Sequence, residues 1–460
     1  MWLLSLSLGA SSARADDLSL LLHDPRQRSA PLDRCDVPLC VSLLALIEGA
    51  SDTLDLAFYG FRNQTRLLGA VTAAQERGVR VRIVVDVDTG GHNYYSSTSL
   101  WRDAFEVRTD QAVDLESAAR RREFSVPERC PRPEGYAGPL QCLAMDLGDR
   151  CYLTAHVSRD PIVFEGEIMH NKFAVADQRR VWTGSANASD SGTGGYNANL
   201  AMILDSPTVA RWYTHEFEQM FTHGRFHGSK ERASERRHWI EPGAVHVSSY
   251  LSPQDRPLSR HVRPLIQQAT EQIDIAVFFL THKHVAQDLI EAHRRGVRIR
   301  ILLDATAALN EYSKHEILRA AGIPVKIEPW GGKMHAKSAV IDGRIVIGGS
   351  MNWTSAGERG NDENTLVIRS VSHAAQYQAW FEALWSSIDD RWLYDRPAPE
   401  SADSGTACTD GVDNDFDHRI DAGDPGCSAS PPPLPELLPF QIVTTGGEPC
   451  AWSLLEGPRR

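Results

Sequence analysis

This chain has little that would suit a membrane-spanning or a nucleic-acid-coating protein. No run approaches the ~20 consecutive apolar residues that a spanning helix needs, so no transmembrane segment is expected. Basic residues are in the minority, since 48 Lys and Arg against 60 Asp and Glu give a net charge of −12. Residues 401–460 alone hold 10 acidic and 3 basic side chains, which leaves about −5 on the rest. Such a balance disfavours non-specific binding to a phosphate polymer, although local basic clusters remain open. The eight cysteines lack the paired spacing of zinc ligands. Hydrophobic residues make up 42% of 460 positions, enough to bury the cores of two or three domains.

What is present is one short pattern, twice. Residues 170–187 read HNKFAVADQRRVWTGSAN and residues 335–352 read HAKSAVIDGRIVIGGSMN. His170, Lys172, Asp177, Gly184, Ser185 and Asn187 recur at the same offsets as His335, Lys337, Asp342, Gly349, Ser350 and Asn352. In a strand, side chains two apart share a face, so each His lies beside its Lys. A following strand from Arg180 or Arg344 would return Gly-Ser-x-Asn to the same place. The residue types suit a phosphodiester. Neutral imidazole can attack phosphorus, protonated imidazole can give its proton to the leaving oxygen, and Lys and Asn can hold the non-bridging oxygens. Ser185 and Ser350 are candidates for phosphate binding or for positioning the turn. Asp177 and Asp342 complete the motif, but their odd offset from His and Lys favours structural bonding to neighbouring loops.

At these residues the sequence resembles the phospholipase D superfamily, whose HxKxxxxD motif occurs twice in its two-domain members. The resemblance covers roughly residues 18–390 and is far more specific for the family than for a substrate. It implies an α/β fold of two similar α-β-α sandwich halves with pseudo-twofold symmetry, and two histidines meeting at their interface. It also implies a metal-independent phosphodiesterase working through a phosphohistidine, with His170, Lys172, Asp177, His335, Lys337 and Asp342 as the catalytic set. Relatives usually carry a carboxylate shortly after the motif to support a catalytic histidine. Glu363 fits in the second half, whereas Asn197-Ala-Asn199-Leu offers no acid in the first. If Glu363 lies next to His335, that ring is biased toward protonation and suits the acid, which leaves His170 as the nucleophile.

The repeat extends beyond the motif. Segments 54–59 and 273–278 match, as do 78–86 and 296–304, with helical stretches 65–77 and 284–295 between them that stop at Gly78 and Gly296. A final amphipathic helix closes each half, at 207–222 and 371–387. The expected organisation is a signal peptide at 1–15, halves at 16–223 and 244–392, a solvated linker at 224–243 and a Pro-, Asp- and Cys-rich tail at 393–460. The linker's Lys230, Arg232, Arg236 and Arg237 are read as solvated charge. Between Asp86 and His170 the first half carries about 53 more residues than the second has between Asp304 and His335. This insertion, with Tyr94, Tyr95, Trp101 and Arg120 to Arg122, is a candidate rim or lid.

In the tail, Asp413, Asp415, Asp417 and Asp421 follow part of a calcium-loop pattern. His418 stands where Gly is usual, and no Glu occupies the twelfth place. Pairing of Cys35 with Cys40 and of Cys408 with Cys427 is the simplest disulfide arrangement for an exported protein. Together these features predict a secreted or periplasmic phospholipase D acting on phospholipid at a membrane surface, with Asn187, Asn352, Ser185, Ser350 and Glu363 in contact with substrate. No cofactor is required for the chemistry, though a structural calcium could sit in the tail. Two halves in one chain make a monomer sufficient. The alternative is a nuclease or other non-lipid phosphodiesterase using the same two histidines.

Overall fold

The computed structural model describes residues 16–120, 134–136, 140–145, 151–154, 166–233, 236–240, 245–428 and 441–444. The expected signal peptide and Arg121 and Arg122 of the basic run lie outside these residues. Two sheets dominate. In the first, Asp17–Leu22, Leu200–Asp205, Arg180–Gly184, Lys172–Ala176, Thr53–Phe58, Arg80–Val85 and Glu106–Thr109 lie side by side in that order. The second repeats the same order with Val245–Ser252, Glu363–Arg369, Ile345–Gly349, Lys337–Ile341, Gln272–Val277, Arg298–Leu303 and Val325–Ile327. Strand senses match as well, with parallel pairing from Thr53–Phe58 to Arg80–Val85 and antiparallel pairing across the motif hairpins.

Alternation along the motif strands sorts side chains into layers. Phe173 and Val175 face a central core shared by both halves, while Ala174 and Ala176 face the outer core of the first half. The central core is filled by Tyr213 and Phe217 of the helix Pro207–Phe221 and by Tyr377 and Phe381 of the helix Val371–Ser387. Both helices start from a serine whose hydroxyl accepts a backbone N–H, Ser206 and Ser370. Gly78 and Gly296 stop the preceding helices at φ of 88° and 95°, a region that glycine enters without steric cost. Buried ion clusters repeat too. Arg82 joins Asp55 to Glu218 over Phe217, and Arg300 joins Asp274 to Glu382 over Phe381.

One expectation is corrected in part. Among its described residues the segment 224–243 is not wholly a solvated linker, although Arg232 and Arg237 are exposed as expected. His227, Lys230 and Arg236 are buried, Lys230 bridges Glu216 and Asp362, and Arg236 pairs with Asp255. Arg237–Ile240 adds an edge strand to the second sheet. Charge in that stretch marks partners already folded around it.

The described part of the insertion is packed into the fold, while its Tyr94 and Tyr95 border the cavity that holds the histidines, as expected of a rim. Glu106–Thr109 is the first half's counterpart of Val325–Ile327, and Trp101 packs on Phe58 and Phe61 in the core. Strands Leu140–Met145 and Cys151–Thr154 then form a hairpin on the other half, where Leu153 N–H donates to Gln287 and Gln141 donates to the Ser313 carbonyl.

The described residues of the tail are bound to the rest of the chain. Tyr196 donates to Asp410, Lys333 donates to the Asn414 carbonyl at 2.7 Å, and Gln441–Thr444 pairs with Leu140–Met145. Disulfides link Cys35 to Cys40 and Cys408 to Cys427.

Candidate active site

Each motif strand begins at the seam between the halves, and the seam is stitched crosswise. His170 N–H donates to the Asp362 carbonyl and Asp362 N–H to the Ile168 carbonyl, while His335 N–H and Ala198 N–H do the same with Ala198 and Lys333. The residue after each partner, Glu363 or Asn199, is therefore delivered to the histidine of the opposite half. Glu363 lies 2.8 Å from His170 Nδ1, and Asn199 Oδ1 lies 3.1 Å from His335 Nδ1. The expected neighbour of Glu363 was His335. The correction follows from chain order, because Glu363 leads a strand of its own sheet while its first residue projects across the seam.

Ser350 donates to Glu363 at 2.7 Å and Ser185 donates to Asn199 at 2.8 Å. The two serines thus orient the residues behind the rings. Glu363 is fully buried behind His170, so neither it nor the serines form the substrate wall assigned to them from sequence.

Lys172 Nζ donates to the His170 carbonyl and Lys337 Nζ to the His335 carbonyl, at 2.7 and 2.6 Å. No carboxylate pairs directly with either ammonium among the described residues. Tyr59 packs edge-on to His170 and under Lys172, and Phe278 occupies the equivalent place by His335 and Lys337. Burial, then Lys172 and Lys337, hold the His170 pKa well below the usual imidazole value. The same causes, with His170 added, hold His335 down. Burial brings Lys172 down to about 7 against the pull of Glu363 and Asp86. Glu363 is pushed up to about 8 by burial, against Lys172, Ser350 and Lys337. Burial thus holds both imidazoles and both ammonium groups toward their neutral forms and the carboxyl of Glu363 toward its protonated form.

Asp177 and Asp342 do not reach this centre. Each occupies the left-handed region as the first of the three residues of its hairpin turn, at φ of 53° and 49°. The Asp177 carboxylate accepts from the N–H groups of Ser51, Asp52 and Thr53, and Asp342 from those of Thr270, Glu271 and Gln272. Their place in the catalytic set is corrected to that of ties between the hairpin and the next strand. A second tie was not anticipated. Asp86 and Asp110 both accept the N–H of Met169, and Asp304 and Glu328 both accept that of Met334, so an acidic pair stands behind the residue before each histidine. The repeat of Asp86 and Asp304 at strand ends was the available signal, but the pairing needs the fold.

Both histidines line one cavity of 300 Å³, with Asn187, Asn352 and Tyr59. Asn187 donates to Tyr95 at 3.0 Å, and the Oδ1 atoms of Asn187 and Asn352 are buried without a partner. A buried amide oxygen is an acceptor, so a donor group of a ligand, such as a hydroxyl, would complete its bonding. At the mouth stand Tyr94, Ile168 and Phe416, 64%, 39% and 50% exposed. Phe416, Asp413 and Asn414 come from the tail, which walls one side of the cavity.

In that tail Glu400, Asp413 and Asp415 bring carboxylate oxygens within 4.8 Å of one another, as do Asp415, Asp417 and Asp424. Asp421, expected as a ligand, is instead occupied with the N–H groups of Asp410 and Gly411.

The family described as cardiolipin synthase, PLD-like domain, matches residues 43–221 and 262–385. A mitochondrial cardiolipin hydrolase of Chlamydomonas reinhardtii is 38% identical over 117 residues, which is 25% of this chain and 52% of that one. One from Xenopus laevis is 34% identical over 152 residues, 33% of this chain and 72% of its own. A phospholipase D of Rickettsia conorii is 36% identical over 116 residues, 25% of this chain and 58% of that protein. This chain thus spans between about half and three quarters of the length of these three relatives. Among solved structures, phosphatidylserine synthase of Haemophilus influenzae has the same fold over 80% of this chain and 85% of its own, with a TM-score of 0.50 and 13% identity.

Proposed function

This chain belongs to the phospholipase D-like family, and on that premise we propose that it hydrolyses a phospholipid phosphodiester at a membrane surface, yielding phosphatidate and the headgroup alcohol. The observation that carries the reading is the mouth of the two-histidine cavity, ringed by exposed Tyr94, Ile168 and Phe416. A rim of this kind can enter the headgroup layer while the phosphate descends to the histidines. The lipid substrates in the names of the cardiolipin hydrolases and phospholipase D support the same class. Binding nucleic acid would call for several free cations beside stacked aromatics, whereas Arg62 in this cavity is tied to Asp190 and Lys333, over the Phe416 ring, stands as a single further cation of its lining.

In the proposed reaction, His170 Nε2 attacks phosphorus, and the bond from phosphorus to the headgroup oxygen breaks. His335 gives that oxygen its proton. Water, losing a proton to His335, then attacks the phosphohistidine and breaks the P–N bond. Glu363, on Nδ1 of His170, stabilises the positive ring of the intermediate. Lys172 and Lys337 hold the non-bridging oxygens, joined by Asn187 and Asn352 where their amides turn Nδ2 toward the phosphate. His335 has only a neutral amide behind it, so it releases its proton readily. His170 therefore remains the nucleophile, for a reason opposite to the one read from sequence. An alcohol replacing water would give transphosphatidylation.

Parallel assays on phosphatidylcholine vesicles, cardiolipin vesicles and single-stranded DNA test the reading, with His170→Ala/His335→Ala as control. Headgroup release from vesicles that the control lacks is expected. Cleavage of DNA with no lipid turnover would overturn the proposal, and label trapped on His335 rather than His170 would reverse the roles. We further propose export to the periplasm or outside the cell, action as a monomer, and a structural calcium held by Glu400, Asp413 and Asp415, whose oxygen donors suit a hard cation.

A further inference from the structure

A second cavity of 620 Å³ opens in the second half, larger than the one that holds the histidines. The two meet at Phe279 and Asn352, which line both. Its lining carries Lys283, His284, Lys314 and Arg359, and no Asp or Glu among the described residues. Lys314 is 5% exposed, and its Nζ donates to the Tyr312 carbonyl at 2.6 Å without a carboxylate at ion-pair distance among the described residues. A buried ammonium with no counterion is costly in a folded protein, and a bound anion is one way in which that cost is offset. Burial, and then Lys283, bring Lys314 down to about 7, so an arriving anion would complete its protonation. Arg359 contributes a guanidinium that stays half-exposed, with only its Nε near Glu358 at 3.4 Å. A planar donor at the entrance suits phosphate.

We propose that this cavity is a second anion subsite, taking a further phosphate of the same substrate while the reacting phosphate lies between His170 and His335. The ligand is a phospholipid whose headgroup bears its own phosphate, and cardiolipin, two phosphodiesters joined by one glycerol, is the simplest case. The two phosphates would lie on either side of the wall that Phe279 and Asn352 give to both cavities. The inference rests on the reading of this chain as a phospholipid phosphodiesterase.

The test compares vesicles of cardiolipin with vesicles of phosphatidylglycerol, which shares the glycerol headgroup but has one phosphate, each diluted in phosphatidylcholine. Wild type is expected to favour cardiolipin in kcat/KM. Lys314→Gln and Arg359→Gln should each cut that preference by ~10-fold, chiefly through KM for cardiolipin, the scale of losing one charge-assisted hydrogen bond. Arg359 lies near the surface, so its variant keeps the test valid if Lys314→Gln unfolds, which a thermal melt reveals. Turnover of phosphatidylglycerol with no preference for cardiolipin, or variants that slow both lipids equally, would overturn the subsite and leave the phosphodiesterase reading intact. Turnover of neither lipid, with cleavage of single-stranded DNA, would overturn both.

Discussion

At the scale of single residues, the two histidines differ in what stands behind them. Glu363 on His170 can stabilise a positive ring, and Asn199 on His335 cannot. Glu363→Gln keeps the geometry and removes the charge, so kcat should fall by ~100-fold, checked by steady-state assay. Its effect on stability has a definite sign. With a folded pKa raised to about 8 from 4.5, the contribution of Glu363 is fully present below pH 4.5 and lost as pH rises through 8. The melting temperature of Glu363→Gln should therefore gain on wild type between pH 5 and 9.

Lys337 acts on both rings, since its charge helps hold their pKa values down. One ring must be neutral and the other protonated, which gives a bell-shaped profile centred below pH 6.5. Removing that cation in Lys337→Met raises both pKa values, and the optimum of kcat/KM against pH should move upward even as the rate drops.

At the scale of elements, the motif is a hairpin with its catalytic pair at one end and its aspartate at the other. His and Lys enter the seam, and Asp177 and Asp342 tie the far turn to the start of the neighbouring strand. Asp342→Asn retains the side chain's tolerance of positive φ but loses charge-assisted bonds to backbone N–H groups. It should cost about 1–2 kcal/mol by urea unfolding. Burial pushes Asp342 up, but the N–H groups of Glu271, Gln272 and Thr270, with Arg344, together hold it below 3.8. Its contribution is present above pH 3.8 and lost as pH falls through the lower folded value, so the variant's deficit should shrink in acid.

The two turns are not equivalent in sequence. Gln178 holds φ of 50° where the second half uses Gly343 at 58°. Gln178→Gly should stabilise by about 0.5–1 kcal/mol in the same measurement, by relieving the left-handed strain of a side-chain residue.

At the scale of the whole molecule, neither half owns a complete site, because Glu363 and Asn199 cross the seam and the tail walls the cavity that the halves create. Deleting residues 396–460 removes Phe416, Asp413 and Asn414 from that wall, and KM on lipid vesicles should rise roughly 5-fold, the scale of about 1 kcal/mol of lost contact. The sequence by itself determined the two-fold repeat, the sandwich class of each half, and which histidines and lysines share a strand face. Those properties depend on period and order along the chain, and a repeated pattern displays them. Only the tertiary structure decided which histidine faces Glu363, that His227 and Lys230 are buried, and that the tail borders the catalytic cavity. Each of these is a contact between segments far apart in order, and a charged stretch reads alike whether water or a buried counterion receives it.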